Sequence, residues 1–106
     1  MPRLTQEQKR TTEFVGLSRR FHLALEQAGN AFDAGYPKIG QGVLRQAADI
    51  HRQIKEFCRE EKYMSLLKEH GQKVTELFSA MASGKTEKSK QLAEAVAVIE
   101  TQIAAA

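Results

Sequence analysis

One cysteine, two prolines and no tryptophan stand in a chain of 106 residues. The lone cysteine, Cys58, excludes an internal disulfide and points to a reducing setting. Scarce proline leaves long stretches free to be helical. The longest unbroken apolar run is Ala95 to Ile99, far short of the ~20 residues a membrane span needs. The opening "MPRLTQEQKRTTE" holds no apolar stretch of the kind a secretory leader needs, so no signal peptide is expected. Apolar and polar residues alternate with period two nowhere over a useful length, so no strands are expected. The expected setting is cytoplasmic, with no membrane contact.

Ala, Leu, Glu, Gln, Lys and Arg dominate instead, all good helix formers. The net charge is +3, and the excess sits at one end. Arg3, Lys9, Arg10, Arg19 and Arg20 face only Glu7 and Glu13 over residues 1–22, while the remainder carries eleven charges of each sign. That is a mild basic patch, short of the field of a dedicated nucleic-acid binder.

Four apolar stripes are legible. Thr5 and Gln8 have the spacing of a capping box and start the first helix. Phe14, Leu17, Phe21, Ala24, Ala28 and Ala31 then share one face, widened by Leu25 and Phe32, until Gly35 and Pro37 end it. The second stripe is Val43, Ala47, Ile50, Ile54 and Phe57. The third is Tyr63, Leu67, His70, Val74, Leu77 and Met81. No Gly or Pro separates these two, yet they are about 190° out of phase on one straight helix. A break near Arg59 to Lys62 resolves the conflict and leaves Gly71 inside the third helix; a break at Gly71 is the alternative. The fourth stripe is Leu92, Val96, Ile99 and Ile103, with Gly84 as a left-handed cap before it and Thr86 as N-cap.

These spacings predict an all-α chain, an antiparallel four-helix bundle with a long first helix. One domain, 1–106, would hold helices at about 5–34, 41–60, 62–83 and 86–104. The first helix is about 30 residues long and the others about 20, so it has a surplus of roughly 15 Å. Thr5 to Glu13 contains no apolar residue, so this surplus is expected to project into solvent, to fray or to dock on something.

Gly84-Lys85-Thr86 resembles the end of a phosphate loop, but that loop requires a glycine where Ser79 stands and a strand where a helix is expected. "GYPKIGQG" (Gly35 to Gly42) reads as a connector, with Tyr36 and Lys38 as candidates for an exposed recognition loop. The histidines His22, His51 and His70 fall one per helix. No Glu stands three residues before any of them, as di-metal bundles require. His51 and Cys58, seven apart, share a face, though no third ligand is evident. "HGQKV", from His70 to Val74, is similar to the His-x-x-Lys-Gly of bacterial phosphotransfer bundles, with Val74 in the glycine's place. That likeness implies a phosphorylatable His70, which would have to face solvent. No nucleophile–base set and no core-facing pair of carboxylates is visible. Along the second helix, Arg45, Arg52, Lys55, Arg59 and Lys62 form a basic stripe, partly offset by Asp49, Glu56 and Glu60.

A non-enzymatic protein-interaction module is therefore expected: an adaptor, chaperone, inhibitor or self-associating scaffold. It would have no cofactor and no metal, and its partner would be an acidic protein or a second copy in a homodimer. Lys9, Arg10, Arg19, Arg20, Tyr36 and Lys38 are the candidate contact residues. Non-specific association with nucleic acid is the alternative, and histidine phosphotransfer the second alternative.

Overall fold

Thr5 begins the first helix as its spacing predicts. In the computed structural model, which describes residues 5–106, its hydroxyl accepts from the Gln8 N–H while the Gln8 side chain accepts from the Thr5 N–H. Arg3 and the side chain of Glu7 lie outside the described part. The chain forms α1 (Gln6–Asp33), α2 (Pro37–Phe57), a 3₁₀ turn (Glu61–Tyr63), α3 (Met64–Ala82) and α4 (Thr86–Ala105). No strand occurs among the described residues. The helices run antiparallel as two hairpins, α1–α2 and α3–α4, each packed more closely within itself than against the other.

The turns explain the boundaries. Gly35 takes a φ of 86°, a left-handed conformation that glycine adopts at least cost, and the Tyr36 N–H closes the helix end onto the Ala31 carbonyl. The connector predicted up to Gly42 is much shorter. Pro37 opens α2 at a position where its missing N–H costs nothing, so the helix starts four residues earlier than the spacing suggested. Gly40 lies inside that helix for a steric reason: a Cβ there would sit 2.8 Å from the Phe32 ring. Gly84 is again left-handed, with a φ of 73°. Lys85, rather than Thr86, occupies the N-cap of α4; Thr86 is the first helical residue and its hydroxyl donates to Asp33, 3.5 Å away.

The second and third stripes do belong to separate helices. α2 ends at Phe57, Glu60 is extended, and the 3₁₀ turn leads into α3, which runs through Gly71 without interruption. The core is built from the expected stripes, with Phe21, Ala28, Ala47, Ile54 and Val96 fully buried. The alanines of α1 are thus spent within the chain: Ala24 and Ala28 are buried in the single molecule.

Most of the polar start of α1 is exposed as expected, but Arg10 is not part of a free overhang. Arg10 folds back onto the end of α2, pairing with Glu60 and donating to the Phe57 carbonyl at 3.0 Å. Its guanidinium also covers the Phe57 and Tyr63 rings, at 5.3 and 5.8 Å from their centres. A long side chain with an apolar stem does here what an apolar residue does elsewhere. It also places a cation at a helix C-terminus, where the helix dipole favours it.

Candidate functional site

Midway along the bundle the core turns polar. Every helix contributes: Ser18 and His22 from α1, His51 from α2, His70 from α3 and Glu100 from α4. Glu100 is 2% exposed and His70 is fully buried. Glu100 Oε1 accepts from the Ser18 hydroxyl at 2.5 Å and bonds His22 Nε2 at 2.8 Å. Its Oε2 bonds His70 Nε2 at 2.8 Å. Burial pushes the Glu100 carboxyl up, but the bonds to His22, His70 and Ser18 together outweigh it and hold it at about 2. An ionised carboxylate only accepts, so both imidazoles present an Nε2–H to it.

The other side of the layer differs. The His51 ring lies 5.2 Å from the His70 ring and 6.0 Å from Phe21. His51 Nε2 and His70 Nδ1 are both buried and have no hydrogen-bond partner among the described residues. Desolvation, then the neighbouring His70 and Lys55, lower the His51 pKa to about 4, against a smaller opposing pull from Glu100.

In this layer Ser18, His22 and His51 are half-buried, and Glu100 and His70 are closed off. Its one carboxylate is sealed and committed to three donors. His70, the residue a phosphodonor would have to reach, is closed to solvent, which removes the basis of the phosphotransfer reading. Cys58 is 1% exposed, and burial pushes its thiol up, away from the thiolate form. Among the described residues no group of three or more His, Cys, Asp or Glu side chains is placed to hold a metal ion.

Clefts among the described residues reach the surface at several places. The first, of about 310 Å³, lies between the start of α1 and the α2–α3 connection, and Arg10 takes part in its wall. The second, of about 410 Å³, separates the two hairpins near their turns; it is floored by Leu25, Leu77 and Met81, with His22 at its edge. The third, of about 1220 Å³, is an open groove between α2 and α3. Its floor carries Met64, Leu67, Cys58 and Gly71, and Lys55, Arg59 and Lys68 stand along it. Met64 is 59% exposed, and a Cβ at Gly71 would meet nothing within 4 Å. Among the described residues no carboxylate forms an ion pair with Lys55, Arg59 or Lys68.

The contact residues expected from sequence are scattered. Lys9, Arg19 and Arg20 lie exposed along α1. Tyr36 and Lys38 are exposed at the far end, at the α1–α2 turn and the first turn of α2, beside an exposed Ile39. Arg10 is committed to Glu60 and Phe57. Of the α2 stripe, Arg52 pairs with Asp49 and Lys62 with Glu60, Lys55 and Arg59 line the groove, and Arg45 is exposed away from it. No family model, no curated protein and no solved structure matches the chain.

Proposed function

We propose that this protein is a small non-enzymatic module that works by binding another protein. The observation that carries this reading is the α2–α3 groove, an open seam with a largely apolar floor and a basic border. Met64, an exposed apolar side chain, stands in this groove beside the half-buried Leu67, and apolar surface exposed in a concavity marks a place where a partner removes it from water. The cations beside it favour an acidic partner and would speed its approach at low salt. The burial of Glu100 and His70 supports the non-enzymatic part of the reading, because the only carboxylate of the layer is closed to a substrate, while Ser18, His22 and His51 are half-buried. Lys9, Arg19, Arg20, Tyr36 and Lys38 lie away from this groove and are secondary contact candidates, on the faces where the sequence placed them.

Photocrosslinking in the native source tests this. A photoreactive residue is placed singly at Met64, Arg19 or Tyr36, and adducts are identified by mass. A discrete protein adduct at one of these positions, strongest at Met64, is the expected result. Recovery of nucleic acid alone, or of no adduct at any position, would sink the reading. The runner-up, non-specific nucleic-acid association, draws on the same unpaired Lys55 and Arg59. A gel shift at two salt concentrations separates the two, since phosphate binding weakens steeply with salt.

A further inference from the structure

We infer that the α2–α3 groove receives a single amphipathic helix with an apolar stripe and acidic flanks. The inference rests on the protein-binding reading above and names the chemistry of the occupant.

The first argument is shape. α2 and α3 pack against each other far more loosely than α1 against α2 or α3 against α4. Their seam widens into a groove of about 1220 Å³. The groove is open to solvent along its length, so a helix ~10 Å across can be laid on it from outside. The floor is flat where it matters, because Gly71 has no side chain and open space above it. Met64 and Leu67 flank that gap with flexible and branched apolar surface, the type of floor that adapts to a helix laid along it.

The second argument is charge. Lys55 lines the groove from α2, Arg59 from the connection that follows it, and Lys68 from α3. Among the described residues Glu76 is the one carboxylate that lines the groove. Three cations free of ion pairs among the described residues border an apolar floor on two sides. A helix with leucine-like residues on one face and glutamates at the edges matches that arrangement.

The third argument separates this occupant from a nucleic acid. Among the described residues no Phe, Tyr or Trp lines the groove, and the one ring there, His51, is half-buried. Single strands are held by stacking on exposed aromatic rings, and a floor of Met, Leu, Cys and Gly offers none.

The test uses the full chain and a designed 14-residue helical peptide with Leu and Ala on one face and Glu on the flanks. Two controls accompany it: the same peptide with Lys for Glu, and a scramble that keeps composition and destroys the stripe. Affinity is read by fluorescence anisotropy, and the site by amide shifts on isotope-labelled protein. The Glu peptide should bind at least tenfold tighter than either control, with shifts centred on residues 55–71. Met64→Glu and Lys68→Glu should each weaken it at least fivefold; both residues are exposed, so folding is not at stake. Equal binding of the three peptides would overturn the inference, as would shifts centred on another face. So would a single-stranded oligonucleotide that occupies the same groove more tightly, or a dimer in light scattering that Met64→Glu dissolves. If the peptide fails while photocrosslinking still captures a protein at Arg19 or Tyr36, the module reading stands and only the occupant is wrong.

Discussion

The seam between α1 and α4 and the seam between α2 and α3 are built from similar residues and behave differently. Across the first, Ser18 and His22 reach over to Glu100, and one carboxylate ties the two hairpins together. Across the second, His51 approaches His70 without a hydrogen bond, and the helices part into a groove. A buried carboxylate with three donors fixes a register, because any slip leaves a charge unpaired in the core. A histidine pair with orphaned nitrogens fixes nothing. The hairpins are thus tied by a buried carboxylate on one side, beside the smaller cleft, and are joined by no such bond on the other, where the wider groove lies.

Removing the lock should have the largest effect. Glu100→Ala leaves the Nε2 atoms of His22 and His70 and the Ser18 hydroxyl without their acceptor. Breaking a buried charged network by deleting one member costs about 3–5 kcal/mol. Urea denaturation of the variant should show that loss, and Glu100→Gln, which keeps an acceptor oxygen, should lose less. A cost below about 1 kcal/mol would mean the layer does not hold the seam.

Acid should attack the two seams in sequence. The folded His51 pKa is about 4, below its ordinary 6.5. Above pH 6.5 the folded and unfolded chains are both neutral there. As pH falls from 6.5 toward 4 the unfolded chain takes up a proton that the folded one refuses, so stability drops. The groups facing His51 are His70, Lys55 and Glu100, and only the last opposes the trend. Glu100 titrates later: its stabilisation is complete above 4.5 and is lost as pH falls toward about 2. Urea midpoints measured from pH 7.5 to 3 should therefore decline in two stages. His51→Gln should flatten the upper stage and leave the lower one. An unchanged upper stage in that variant would assign it to other groups.

The sequence carried the frame and hid the layer. The stripes placed the core because burial selects positions by period, and the phase conflict between Ile54–Phe57 and Tyr63–Leu67 placed the α2–α3 break. Glu100 escaped notice because it is four residues after Val96 and three before Ile103, at the margin of a stripe where a charge reads as a solvated edge. The usable signal was His70. A histidine on an apolar stripe needs a buried partner, and Glu100 is the carboxylate on the adjacent stripe. Arg10 misled for the opposite reason: a stretch with no apolar residue reads as an overhang, while an arginine stem and its cation can dock on two rings and a carbonyl. The groove was invisible, since loose packing between two helices leaves no mark on either stripe.

Two glycines give the smallest and sharpest contrast, because the same substitution should change sign between the packed α1–α2 seam and the open α2–α3 one. Gly40 lies in α2 against α1, and an added Cβ meets the Phe32 ring at 2.8 Å. The ring is half-buried, so it or the helix must shift, at a cost of about 1–3 kcal/mol for overpacking. Gly71 lies in α3 beside the groove, with nothing near the added methyl. Replacing a helical glycine by alanine there removes backbone freedom from the unfolded chain and adds about 0.5–1 kcal/mol of stability. Thermal and urea melts of Gly40→Ala and Gly71→Ala should therefore move in opposite directions. If Gly71→Ala were destabilised like Gly40→Ala, α2 and α3 would be in close contact in solution, and the groove would not be there to receive a helix.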